Sequence, residues 1–213
     1  MIKNILAYTS LLVFILPILA SIRLYRLRAF TKSIGIMVAH VFVATIIDVV
    51  AYFFWVYKKN NLFLLHIYTL WEFEVISLYY IYILKNTIPR WIIPVFMFLF
   101  IILSFFDAVS FDGWEHYNIY TRSIECILIM GYSIYHLYQL ILNRNLPTSQ
   151  QNIHKLISIS FLLYFSISFF IFMYSNSIMQ TVFTRYLLWN MHILALWILY
   201  TTIGIALWKA GKR

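Results

Sequence analysis

Apolar residues come along this chain in seven long runs separated by short polar breaks, with neither the strict alternation of strands nor the mixed pattern of soluble helices. The runs fall at about residues 5–25, 34–57, 62–84, 91–109, 119–142, 156–176 and 185–208. Runs of about 19 to 24 residues at 1.5 Å per residue match a hydrocarbon core of roughly 30 Å. The breaks read "RLYRLRAFTK", "KKNN", "KNTIPR", "SFDGWEHYN", "NRNLPTSQQNIHK" and "SNSIMQTVF". Pro89 and Pro147 in two of them fit helix ends. The pattern predicts an all-α integral membrane protein, a single domain over residues 1–213 built as a bundle of seven transmembrane helices. The first run is about as long as a span, lacks a small-x-small cleavage pattern and is followed by basic residues, so it is expected as a helix rather than a signal peptide.

Composition agrees with that reading. Of 213 residues 63% are hydrophobic and only 11% charged, and the mean hydropathy of +0.85 lies far above the range of soluble domains. Aromatic residues, 20% of the chain, suit both lipid–water interfaces and a packed bundle. The net charge of +9 is scattered between apolar runs and forms no dense patch, which argues against a nucleic-acid partner and for topology. The single cysteine, Cys126, leaves no internal disulfide or multi-Cys metal site.

Basic residues also set the orientation. Arg23, Arg26, Arg28, Lys32, Lys85, Arg90, Arg144, Lys155, Lys209, Lys212 and Arg213 fall on one side, against Lys3, Lys58 and Lys59 on the other, with Arg122 and Arg185 at the outer ends of the fifth and seventh helices. The N-terminus is therefore expected outside and the C-terminus in the cytoplasm, in a multi-pass protein of the cell inner membrane. Asp112 and Glu115 lie in an outer loop and count little.

Several ionisable residues fall inside the runs. An ionised side chain at mid-bilayer costs roughly 2.5 to 3.5 kcal/mol even on lenient scales, so such groups should face one another, water or a ligand. Depth along each helix places His66 at about 6 Å, Asp48 at about 14 Å, Glu72 and Glu74 at about 15 to 18 Å, and Asn190 and His192 at about 8 to 10 Å from the outer boundary. Arg122 and Glu125 are three residues apart on one helix face, and Tyr68 shares a face with Glu72. Glu72 and Glu74 point about 200° apart, so both cannot face one cavity, and the helical wheel does not choose between them. His66, Glu72, Glu125 and His192, with Tyr68 and Arg122, form the candidate ligand-binding site in the outer half. Asp48, Glu74 and Asn190 are secondary polar positions. The packing alternatives are an Arg122–Glu125 rim ion pair, protonated carboxyls at Asp48 or Glu74, packing histidines at His40 and His136, and helix–helix hydrogen bonding from Ser160, Tyr164 and Ser168.

No cofactor is expected. Retinal would need a lysine in the middle of the seventh helix, whose lysine, Lys209, sits at its cytoplasmic end. A zinc site using His66, His192 and Glu125 stays open as a weaker alternative, without HExxH or paired histidines on one helix.

Four blocks, "LLHIYTLWEF", "YNIYTRSIECILI", "FLLYFSISFF" and "LWNMHILALWILYTTIGIALWK", together resemble a family of small seven-helix membrane proteins of Bacteroidota in which HIYT-x-x-E, Y-x-R-x-x-E and LW-x-x-H recur. The resemblance covers the third, fifth, sixth and seventh helices. It singles out His66, Tyr68, Glu72, Tyr120, Arg122, Glu125, Trp189 and His192, favours Glu72 over Glu74, and leaves Glu74 and Asp48 outside the pattern. It implies an association with two-component signalling, since such proteins are often encoded near histidine kinases, and it implies no particular reaction.

Three functions are weighed. The favoured one is a receptor-like sensory module that binds an unknown small ligand from outside and acts through a cytoplasmic or membrane partner, a histidine kinase among the candidates. An intramembrane, metal-dependent lipid hydrolase and a structural or assembly subunit are the alternatives. The loops are too short to fold as output domains. The basic first loop, with Arg23, Arg26, Arg28 and Lys32, is the expected partner contact, or else an anchor to the anionic lipid of the bilayer.

Overall fold

The structure is a computed structural model that describes residues 9–28, 30–111, 113, 114, 116–142, 148–173 and 182–211. Among these residues every regular element is helical. A 3-10 turn, Ser10–Phe14, leads into α1 (Ile15–Arg26). There follow α2 (Lys32–Val56), α3 (Leu62–Ile83) and α4 (Ile92–Phe106), which continues into a π-helical turn, Asp107–Phe111. The last three are α5 (Ile119–Leu142), α6 (Thr148–Met173) and α7 (Val182–Ala210). Six of the seven, α2 to α7, with α4 counted together with its π-helical turn, contain stretches long and apolar enough to cross a membrane. The described part of the first helix is shorter. Lys3, Asp112, Glu115, Arg144, Pro147, Lys212 and Arg213 lie outside the described residues.

Helix ends differ from the apolar runs where polar residues are helical too. The run at 156–176 gives way to a helix that begins at Thr148, because hydropathy marks the stretch that suits lipid whereas backbone hydrogen bonding carries the helix through "TSQQNIHK". Pro17 and Pro94 are each the third residue of their α-helices, where the missing N–H has no partner in its own helix to lose.

The chain divides into two compact units, Lys32–Glu125 and Met1–Thr31 with Cys126–Arg213. Within the first, α2 and α3 run antiparallel, since Phe54 meets Phe63 near the turn (ring centroids 5.4 Å apart) while Lys32 lies 6.0 Å over the Tyr82 ring at the other end. α3 and α5 run parallel, because Leu65 and Thr69 bond Asn118 whereas Glu72, further along, bonds Arg122. Phe73 and Phe100 stack at 4.0 Å between α3 and α4.

Within the second unit α5 and α6 are antiparallel, pairing Met130 with Ser166 and His136 with Ser158. α1 and α7 are parallel: Phe14 packs on Tyr200 at 4.4 Å, Leu16 and Pro17 lie against Gly204, Arg23 lies over Trp208, and Leu24 and Leu27 lie against Gly211. His40 and His136 are buried. The hydrogen bonds that link α5 and α6 use Ser158 and Ser166; Ser160 instead bonds the carbonyl of Ile157 in its own helix. Outward faces are apolar, as at Phe98, Phe105, Ile127, Phe170 and Leu194, while Thr69, Glu72, Asp107, Asn118 and Glu125 are fully buried. This distribution inverts that of a soluble protein and suits an apolar solvent.

Gly204 is a point of close approach between α1 and α7. A Cβ there would stand 2.8 Å from Leu16 Cγ and 3.0 Å from the Pro17 backbone nitrogen, whereas one at Gly131 or Gly35 would meet nothing within 4 Å. Gly204→Ala is expected to destabilise the protein by about 1 to 3 kcal/mol through overpacking, and Gly131→Ala to leave it unchanged or raise it by up to about 1 kcal/mol. Unfolding in detergent micelles measures both.

Candidate functional site

The interior face of α3 carries His66, Thr69, Glu72, Phe73, Ile76, Tyr79 and Tyr80, a spacing of three and four residues that draws one stripe down a helix. Glu72 belongs to that stripe and is fully buried. Glu74, two residues on and turned to another face, is half-buried. The choice that the helical wheel leaves open falls on Glu72. At the start of α5 the same spacing lines up Asn118, Thr121, Arg122 and Glu125, all buried.

Arg122 is where the two stripes meet. Its Nη1 donates to Glu72 Oε2 on α3 and to Glu125 Oε2 on its own helix, each at 2.5 Å. Tyr68 donates its hydroxyl to Glu72 Oε1 at 2.8 Å, so both oxygens of Glu72 are engaged. One helical turn away, Asn118 Nδ2 donates to Thr69 Oγ1 at 2.7 Å and to the Leu65 carbonyl at 3.4 Å. His66 bonds the His116 carbonyl through Nε2 at 3.2 Å, with its ring 5.6 Å from that of Trp114. These bonds tie α3 to the first turns of α5 and to the segment before it.

Asp107, at the end of α4, accepts from the Thr121 hydroxyl and, at 3.3 Å, from the Thr121 backbone N–H. Thr121 is the third residue of α5, so the carboxylate of one helix takes up an otherwise unpaired N–H at the start of another. The positive end of the α5 dipole favours a carboxylate there.

Two carboxylates on one guanidinium leave a formal excess of one negative charge. Asp48 on α2 is half-buried and within electrostatic reach of Glu72. His40 on the same helix is also within reach. Three buried acceptor oxygens, Glu125 Oε1, Asp107 Oδ1 and Asn118 Oδ1, have no hydrogen-bond donor among the described residues. A buried acceptor without a donor costs about 1 to 3 kcal/mol, and each such atom in a native structure asks for an explanation. These oxygens keep unused capacity to accept hydrogen bonds.

Other surroundings hold the remaining sequence-selected positions. Tyr120 is 57% exposed at the start of α5, on a face away from Arg122 and Glu125. His192, in the second unit, is enclosed by Tyr164, Phe172 and Trp189, each with its ring centroid 5.7 Å from the imidazole. Asn190 is half-buried in α7. Among the described residues no three of His, Cys, Asp and Glu form a group that could hold a metal ion, so the grouping lends no support to zinc at His66, His192 and Glu125. The sequence reading missed Thr69, Asn118, Asp107 and Thr121. For Asn118 and Thr121 the available signal was their three- and four-residue spacing from Arg122 and Glu125.

Family models, curated proteins and solved structures were compared with the chain, and none matches.

Removing the guanidinium leaves two carboxylates buried without their cation. Arg122→Ala is expected to cost about 3 to 5 kcal/mol of stability, Tyr68→Phe about 1 kcal/mol, and Tyr120→Phe less than about 0.5 kcal/mol. Denaturant unfolding of the purified variants in micelles measures the order.

Proposed function

We propose that this is a seven-span protein of the inner membrane, N-terminus outside and C-terminus cytoplasmic, working as a receptor-like sensory module. A small polar ligand carrying hydrogen-bond donors enters from the outer side at the Arg122 cluster. Its binding shifts α3 against α5, and the change passes to a membrane partner. The partner implied by the resemblance is a histidine kinase.

One observation carries the ligand-binding reading: three buried acceptor oxygens without donors among the described residues, around an arginine already shared by two carboxylates. In a protein that crosses lipid, ionisable groups of this kind mark functional sites by default. Helix directions support the seven spans. If every short connection reverses the chain, the first and seventh helices must run parallel, as must the third and fifth, and both pairs do. Orientation is supported by Arg23, Arg26 and Lys209, which belong to the same ends of α1 and α7. The need for a partner follows from connections too short to fold as a domain.

A structural role is the second reading, favoured by the pairing of Arg122 with both glutamates and of Glu72 with Tyr68.

Two measurements test the proposal. A reporter active only in the cytoplasm should work when fused after Arg213, and one active only outside should work when inserted after Gly113; the reverse pattern overturns the orientation. Crosslinking in native membranes should capture a histidine kinase with the wild-type chain, and Glu125→Gln should change the yield by several-fold at equal expression. Capture that ignores Glu125→Gln supports the structural reading. No specific partner, together with lipid turnover by the purified protein alone, supports the hydrolase.

A further inference from the structure

All seven Asp and Glu residues of the chain lie between Asp48 and Glu125. The unit made of Met1–Thr31 and Cys126–Arg213 therefore contains no acidic side chain, yet it carries Arg23, Arg26, Arg28, Lys155 and Lys209. Within this unit a cation has no carboxylate to pair with. Among the described ones, Arg23 near the ends of α1 and α7 has a built setting rather than mere exposure.

Arg23 is half-buried in the last turn of α1. Its guanidinium carbon lies 4.4 Å from the centroid of the Trp208 ring on α7, a separation at which cation and ring attract. The contact with the ring restrains the guanidinium before anything binds. Its Nη1 is buried and donates no hydrogen bond among the described residues. Arg26, one turn on, and Lys209, next to Trp208, are exposed in the last turns of their helices. Leu24 and Leu27 close against Gly211 and hold the two ends together. Around these cations the surface is apolar and exposed: Ile22, Tyr25, Leu27, Ile205 and Trp208.

We infer that the paired ends of α1 and α7 form a binding site for an anionic phospholipid, with Arg23, Arg26 and Lys209 taking the headgroup phosphate and the apolar rim taking the acyl chains. A planar guanidinium fork matches two phosphate oxygens, and one already held against a ring loses less freedom on binding. The partial negative charge at each helix end, about half an elementary charge, opposes an anion. Three full positive charges outweigh two such ends. A soluble anion would use the cations and leave the apolar rim unused, which is why a lipid rather than free phosphate is the occupant. The site lies in the unit that lacks the Arg122 cluster and does not rest on the sensory reading.

The test uses the full chain in detergent micelles, titrated with phosphatidylglycerol or phosphatidylcholine, with bound lipid counted by native mass spectrometry. Phosphatidylglycerol should bind in preference. Arg23→Gln, Arg26→Gln and Lys209→Gln should each weaken that preference roughly five-fold, and Trp208→Leu should weaken it without removing a charge. The paired change Lys58→Gln with Lys59→Gln, in the other unit, should leave it intact. Circular dichroism on each variant separates lost binding from lost fold, and a variant that fails to fold is replaced by Arg23→Lys, which keeps the charge and loses the planar fork. Equal binding of the two lipids, or equal loss in Lys58→Gln with Lys59→Gln, overturns the inference. Inorganic phosphate displacing the lipid with the same dependence on Arg23 would reassign the site to a soluble anion and likewise overturn it.

Discussion

A guanidinium buried among apolar helices has to find its counter-charge inside the protein, and Arg122 finds it on two sides, from Glu72 on α3 and from Glu125 one turn along α5. Desolvating such a group costs several kcal/mol, which only close and well-bonded partners repay. That requirement sets the local register of α3 against α5. Once Glu72 is at Arg122, parallel helices bring Thr69 and Leu65 to Asn118, and His66 to the segment that enters α5. Asp107 then completes the start of α5 by accepting from Thr121.

The other unit is held by different means. α1 and α7 approach closely at Gly204, where the absence of a side chain admits Leu16 and Pro17, and they carry aromatic and stacked cationic contacts in place of buried ion pairs. Close packing across a small residue is the usual way for helices to associate in lipid, where apolar burial gives little drive. His192 follows the same logic, its imidazole enclosed by three aromatic rings. Acidic side chains are confined to the residues from Asp48 to Glu125. The other unit carries cations but no carboxylate side chain.

Much of this was legible from spacing. Apolar run length located the helices, since an apolar solvent demands continuous hydropathy over a fixed distance. Neighbours on one helix were readable too: Arg122 with Glu125, Tyr68 with Glu72. Partners on different helices were not. Nothing in the local pattern says that Glu72 rather than Glu74 reaches Arg122, or that Asp107 at the end of one helix serves the start of another, because these depend on how helices pack. Tyr120 shows the converse: it shares a motif with Arg122 and Glu125 yet faces outward, since two residues along a helix turn a side chain through about 200°. The start of α6 at Thr148 escaped because hydropathy reports the lipid and not the helix.

The central claim is that Glu72 and Arg122, fifty residues apart, form one buried electrostatic unit. A double-mutant cycle tests it directly: unfolding free energies of the wild type, Glu72→Gln, Arg122→Gln and the pair, measured in the same micelles. The expected result is a coupling of about 1 to 3 kcal/mol, with the double variant more stable than the single effects would sum to. Single effects that add within about 0.5 kcal/mol would contradict it.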